Sequence, residues 1–92
     1  MKKDAEWFEG KDPQLVYIAK RLKDATRLEA LFEAAGVDYG VEADHYTGGF
    51  VFRTSRVGAF FYVTPELRER AVAVMLKNGY VPADPEPDEP RT

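Results

Sequence analysis

The sequence contains no cysteine, and it has a single histidine, His45, and a single serine, Ser55. Without cysteine there is no disulfide framework, no thiolate nucleophile and no cysteine-based zinc site. One serine and one histidine in the same stretch do not indicate a catalytic triad, because no orienting acid or oxyanion motif accompanies them. His45 beside Asp44 and Glu42 also lacks a recognised metal-ligand spacing. We therefore expect no cofactor, no metal and no enzymatic activity.

Long apolar segments are missing as well. No run approaches the length that crosses a membrane, and the first residues lack the apolar core of a signal peptide. The net charge is -3, and the segment 83–92 carries the whole acidic excess, so residues 1–82 are neutral. A neutral body lacks the basic field that binds nucleic acid or anionic membranes. These features predict a cytoplasmic protein without membrane contact and disfavour a nucleic-acid partner.

The chain divides into three parts. Residues 14–82 hold the apolar patterns of one small domain, residues 1–13 form a polar leader, and residues 83–92 alternate proline with acidic residues. The last composition is typical of a disordered tail. Within the leader, Trp7 and Phe8 are adjacent. We expect them to cover exposed core, because two neighbouring aromatic side chains left in water would be a liability.

The clearest pattern is a strand that runs directly into a helix. Residues 59–63 form an unbroken apolar run with three aromatics, which is typical of a strand buried on both faces. Thr64 then supplies an N-cap hydroxyl, and a proline follows at the first helical position. We predict a helix over 65–77, ended by the Asn-Gly pair at 78–79.

A second helix is predicted over 25–35, with one buried stripe, Asp24 as its N-cap and Gly36 as its C-cap. Residues 49–53 and 59–63 are interpreted as the two strands of a β-hairpin. The remaining patterns indicate strands at 15–19, 37–43 and 80–82 and turns at 44–49 and 54–58.

The predicted order β-α-β-β-α-β is that of a ferredoxin-like α+β sandwich, with a mixed or antiparallel sheet, two helices on one face and an extra hairpin around 49–63. A right-handed crossover would place the first strand beside 59–63, in parallel. The opposite sheet face would then need covering by the leader, a ligand or a second copy of the chain. We expect a homodimer, formed by the sheet-face aromatics Tyr17, Phe50, Phe52 and Phe61.

The layout of residues 14–82 resembles a known family. It includes the strand 16–19, a helix ending in Ala-Ala-Gly-Val at 34–37, and a later strand followed by the Pro65-Glu66 helix start. This layout is similar to that of the small prokaryotic putative signal-transducing proteins, which share a ferredoxin-like fold with the PII regulators. The resemblance implies a non-enzymatic regulatory or ligand-sensing role and oligomerisation through the sheet.

The stretch 44–58 lies where the PII regulators carry their functional loop, and we expect any ligand to bind near this stretch and the sheet face. Arg53 and Arg56, with two hydroxyl residues between them, could hold a phosphate or carboxylate. The candidate ligand residues are His45, Tyr46, Arg53 and Arg56. The alternative is that both arginines are solvated and pair with neighbouring carboxylates, as surface charges commonly do.

Three other functions remain as alternatives. The first is a protein interaction module without a small ligand, using the sheet aromatics and the acidic tail. The second is single-stranded RNA binding, because the strands 16–19 and 60–62 resemble the aromatic strands of RNA-recognition motifs. The third is an acylphosphatase-like hydrolase, because residues 48–53 resemble a Gly-x-x-Phe-Arg signature, although here they follow a helix and lead to a turn.

Overall fold

The computed structural model describes residues 1–48 and 54–83, and within them the chain is an α+β protein. These described residues form three helices and three strands, and the strands make one antiparallel sheet. The elements in chain order are α1 (Ala5–Phe8), β1 (Gln14–Ala19), α2 (Leu22–Ala35), β2 (Gly40–Gly48), β3 (Thr54–Val63) and α3 (Pro65–Lys77).

The sheet has the order β1-β3-β2, so the last strand in the chain is the central one. β3 pairs antiparallel with both neighbours, and β1 and β2 therefore run parallel with β3 between them. The prediction placed the first strand beside 59–63 correctly but gave the wrong direction. Helix α2 connects β1 to β2, which are parallel but not adjacent in the sheet. β3 follows β2 in a hairpin and runs between the two in the opposite direction.

The β2–β3 hairpin is longer than the sequence indicated. Its pairs run from Gly40 opposite Tyr62 to Gly48 opposite Thr54. The predicted turns at 44–49 and 54–58 are therefore wrong where the structure describes them: residues 44–48 and 54–58 are strand. Asp44 and Gly48 are turn formers by propensity, but continuous cross-strand pairing decides their conformation. The predicted strand 49–53 lies outside the described residues.

Both long helices occur as predicted, with differences at their ends. α2 begins at Leu22, so Asp24 lies in its first turn and is not the N-cap, whereas Gly36 ends the helix in the left-handed conformation (φ 72°). α3 covers the predicted range. The side chain of Thr64 makes no capping hydrogen bond to the α3 backbone. The pKa of Glu66 in the first turn is lowered, first by a hydrogen bond from its own backbone N–H and then by Thr64 and by the charge of Lys11.

The hydrophobic core lies between one sheet face and the two long helices. Phe61 at its centre is completely buried and packs against Phe32 of α2 and against Tyr39, with ring centroids 6.1 Å away in both cases. The other buried members come from β1, α2, the α2–β2 connection, β3, α3 and the segment after α3: Val16, Ala19, Ala25, Leu28, Val37, Val63, Ala71, Met75 and Tyr80.

The segments before β1 and after α3 both lie along sheet edges. Lys2 forms a single parallel bridge to Tyr39, just before β2. At the other edge, the Ala83 N–H donates to the Val16 carbonyl at 2.7 Å. Residues 80–82, which were predicted to form a strand, are not a strand in the structure. Within the described residues, the hydrogen bond from Ala83 to Val16 is the backbone contact between this segment and β1. Of the tail predicted at 83–92, only Ala83 is among the described residues. No helix in the described ranges is long and apolar enough to cross a membrane.

Candidate functional site

The two faces of the sheet have different surroundings. Residues directly opposite each other in an antiparallel pair point to the same face. Phe61 and its partners face the core, so Phe60 and Tyr62 point to the other side, which we call the outer face. By register, the outer face carries Leu15 opposite Tyr62 and Ile18 opposite Phe60. A bulge in β1 between Leu15 and Tyr17 brings Leu15 and Ile18 to the same face.

The short helix α1 covers one end of the outer face. Asp4 begins α1 by accepting a hydrogen bond from the Trp7 N–H at 3.1 Å. Phe8 then packs over Gly40 at the start of β2 and is only 7% exposed. A Cβ built on Gly40 would lie 2.5 Å from the Phe8 ring, so the ring occupies space that only glycine leaves open. The expectation that the aromatic pair of the leader covers apolar surface is confirmed for Phe8.

The chain returns from α1 to β1 through a tight turn. Gly10 and Asp12 both have positive φ, 76° and 56°. Positive φ is uncommon for a residue with a side chain, although Asp tolerates it better than most. This turn sets Pro13 and α1 on either side of an opening above the sheet.

A cleft of about 540 Å³ lies between α1, this turn and the outer face. We call it the α1 cleft. Its floor and walls are mainly apolar, with charged groups among the lining. The lining residues are Lys3, Asp4, Ala5, Phe8, Glu9, Gly10, Pro13, Gly40, Val41, Glu42 and Tyr62. The volume falls in the range of small-molecule sites, about 300–1,000 Å³, and the mixture of apolar walls with few polar groups is typical of them.

The charges around the α1 cleft are mostly negative. The pKa of the Tyr62 phenol is raised, first by burial and then by the carboxylates of Glu42 and Asp44. Tyr62 is therefore a neutral hydrogen-bond donor at physiological pH. The ammonium of Lys3 lies 5.3 Å from the centroid of the Trp7 ring, and that of Lys11 lies 4.8 Å from the same centroid. Trp7 itself does not line the α1 cleft.

A second cavity, of about 480 Å³, lies between Trp7, the Gly10–Asp12 turn and the first residues of α3. Its lining is less apolar than that of the α1 cleft, so this second cavity offers less to a small ligand.

A polar cluster holds the leader against α2. The Tyr39 hydroxyl donates to Glu33 at 2.9 Å, and Lys2 pairs with Glu29 at 3.6 Å. The pKa of Tyr39 is raised by burial first, then by its hydrogen bond to Glu33 and by the charges of Glu29 and Glu33. The aromatic ring of Tyr39 is buried in the core. The polar cluster therefore joins the N-terminal segment to the core and does not form an open site.

Three of the predicted ligand residues, His45, Tyr46 and Arg56, lie on the β2–β3 hairpin. The backbone pairs Tyr46 with Arg56 and His45 with Val57, so these positions are neighbours across the two strands. Arg53 lies outside the described residues. In the parts of the chain that the structure describes, no group of three or more His, Asp or Glu side chains is placed to hold a metal ion.

The predicted sheet-face residues are distributed differently. Tyr17 and Phe61 are paired on the core face, where Tyr17 is half-buried against Tyr80 at 5.1 Å between ring centroids. The assignment of Phe61 to a self-association face is therefore wrong, because its side chain is fully buried under α2. Alternation along β3 puts Phe60 on the outer face instead. Phe50 and Phe52 are outside the described part of the chain.

Sequence reasoning did not predict the α1 cleft. Its floor depends on Phe8 meeting Gly40, two residues far apart in the chain. Two local signals point toward it: an aromatic pair inside a polar leader, and a glycine at the start of an otherwise side-chain-bearing strand.

Comparison of this chain with protein-family models, with curated protein sequences and with solved structures finds no match.

Proposed function

We propose that this protein is a non-enzymatic domain that binds a small ligand in the α1 cleft and has a regulatory role. The single observation that supports it is the cleft itself: about 540 Å³ of mainly apolar lining, with a few charged groups and a neutral phenol. Pockets of this size and character are the usual sites of small ligands. His45, on the far part of the hairpin, lines neither this cleft nor the second cavity.

The PII-like relationship belongs to the same proposal. Its support is the split arrangement in which parallel β1 and β2 flank β3, with α2 and α3 on one face. The segment ending at Ala83 lies along β1, where the fourth strand of a ferredoxin-like sheet would pair. A ligand sensor of this kind changes its surface when the site fills. In this chain the movable covering would be α1, which is joined to β1 by the Gly10–Asp12 turn.

A cleft-filling variant tests the ligand site. Ala5 lines the α1 cleft, so Ala5→Phe would occupy its volume, whereas Ala30 is exposed on α2 and Ala30→Phe is the matched control. A small-molecule library is screened by thermal unfolding. A ligand at 100 times its dissociation constant stabilises the folded state by about 2.7 kcal/mol. We expect that stabilisation in the wild type and in Ala30→Phe, and its loss in Ala5→Phe. Equal stabilisation of both variants, or no stabilising compound at all, would contradict the proposal.

Self-association is a second proposal, carried by the part of the outer face beyond α1. Ile18 and Phe60 lie there and are only half-buried within one chain. Light scattering on Phe60→Asp tests it, with Ala73→Asp on the exposed side of α3 as the control. We expect a dimer for the wild type and for Ala73→Asp, and a folded monomer for Phe60→Asp. A monomeric wild type would rule out self-association through this face.

A further inference from the structure

The lining of the α1 cleft is unbalanced in charge. Its lining includes three acidic residues, Asp4, Glu9 and Glu42, and one basic residue, Lys3. Asp44 lies two residues beyond Glu42 on the same strand face and acts on the same phenol, Tyr62. A ligand that enters the cleft therefore meets a net negative field.

The charged side chains of the cleft lining differ in whether they already interact with other groups of the protein. Asp4 accepts the Trp7 N–H that begins α1. The Lys3 ammonium lies over the Trp7 ring, which is not part of the cleft lining. Among the described residues, neither Glu9 nor Glu42 takes part in an ion pair. The two carboxylates that remain for a ligand, Glu9 and Glu42, approach the cleft from the C-terminal end of α1 and from β2.

The apolar lining includes two aromatic rings. Phe8 lies over Gly40, and Tyr62 pairs with Gly40 across the strands, so both rings adjoin the same glycine. The face of an aromatic ring carries negative potential and attracts a cation within about 6 Å of its centroid. Rings beside carboxylates that are not engaged in ion pairs are the combination that recognises an ammonium group attached to an apolar body.

We infer that the α1 cleft binds a small organic cation, an amine or quaternary ammonium carried on an apolar body, with Glu42 and Glu9 contacting the charge and Phe8 and Tyr62 contacting the body. This inference rests on the proposed ligand site and specifies its chemistry. It differs from the anion that the sequence leads us to expect near Arg53 and Arg56, which are not among the described residues that line the α1 cleft.

Three probes of similar size and shape test the sign of the charge: 2-phenylethylamine, 2-phenylethanol and 3-phenylpropanoate. Each is titrated into the ¹⁵N-labelled full chain, and the amide shifts of Gly40 and Tyr62 are followed. We expect the amine to bind at least about tenfold more tightly than the alcohol, because unlike charges and cation–π contacts add to the apolar contact. The propanoate should bind more weakly than the alcohol.

Variants that remove one carboxylate test which side chain contacts the ammonium group of the ligand. Glu42→Gln should weaken amine binding about fivefold, which corresponds to about 1 kcal/mol, and leave alcohol binding unchanged. Glu69→Gln, on an exposed position of α3, should leave both unchanged. Raising the salt concentration should weaken the amine alone.

Equal binding of amine and alcohol, tighter binding of the propanoate, or no shift at Gly40 with any probe would overturn the inference. The library screen with Ala5→Phe and Ala30→Phe decides separately whether the cleft is a ligand site. A ligand of neutral or anionic character found there would leave the proposed function standing and refute its cationic specificity.

Discussion

Replacing Gly40 by alanine should push Phe8 off the sheet. The added Cβ would lie 2.5 Å from Cε2 of Phe8 and 3.2 Å from two further ring atoms. Carbon atoms in contact lie about 3.5–4.0 Å apart, so the ring must retreat by about 1 Å. Gly40 is not among the glycines with positive φ, so its backbone accepts alanine without strain. The cost is therefore steric, and we expect Gly40→Ala to lower the free energy of unfolding by about 1–3 kcal/mol.

The same substitution should behave differently once the ring is removed. Phe8→Ala alone should cost about 1.5–3 kcal/mol, the value of burying a phenylalanine side chain. In that background the Cβ that Gly40→Ala adds meets no ring, and glycine in a strand is less stable than alanine by about 0.5–1 kcal/mol. Gly40→Ala should then be neutral or stabilising. The double-mutant cycle therefore predicts a coupling energy of at least about 1 kcal/mol.

The free energy of unfolding of the wild type, the two single variants and the double variant is measured by urea unfolding, followed by circular dichroism and by the fluorescence of Trp7, the single tryptophan. Trp7 contacts Phe8 edge to face at 4.9 Å between centroids, so its emission also reports the ring position. Leu76→Ala, at a residue 60% exposed on α3, is the control and should change stability by less than about 0.5 kcal/mol. A Gly40→Ala cost that is the same with and without Phe8 would refute the packing of α1 on the outer face.

Two further predictions concern the core and the end of α2. The pKa of Tyr39 is raised in the folded protein, so its contribution to stability is complete below the unfolded value of about 10 and is lost as the pH rises above it. Tyr39→Phe should flatten the fall in stability between about pH 10 and 11.5 measured by urea unfolding, and an unchanged slope would contradict the assignment. Gly36→Ala should cost about 1–2 kcal/mol because φ at this C-cap is 72°, whereas Gly36→Asn should cost less. Equal stability of the two variants in thermal unfolding would show that the left-handed conformation is not required.

The unit formed by β3 and α3 could be predicted from the sequence because its signals are local. An apolar run, a threonine at the N-cap position, a proline and an acidic residue follow one another within a few positions, although the Thr64 side chain makes no capping hydrogen bond. The C-cap at Gly36 was predictable for the same reason, since only the residue itself has to accept positive φ. The N-terminal boundary of α2 was not, because Asp24 is a good cap by type but the helix had already begun at Leu22.

The hairpin and the cleft depend on pairs of distant residues, and composition does not reveal these. Residues 44–48 contain turn formers, yet each of them faces a partner in β3, and pairing outweighs propensity. The aromatic run 59–63 was correctly interpreted as having two apolar faces. Which of these aromatics faces the core depends on the register of the strand. The prediction assigned Phe61 to the outer face, but the neighbouring residue Phe60 lies there.

The strand order also constrains how this domain can be made. Among the described strands, β3 is the last to be synthesised and the one that contacts both others, so β1 and β2 have no partner in the sheet until residues 54–63 are available. The nearby β2–β3 pairing closes a short loop and can form in microseconds, whereas joining β1 to β3 closes a loop of about forty residues and costs more chain entropy. Folding therefore waits for the centre of the sheet, and a nascent chain stopped before β3 would expose two unpaired strands.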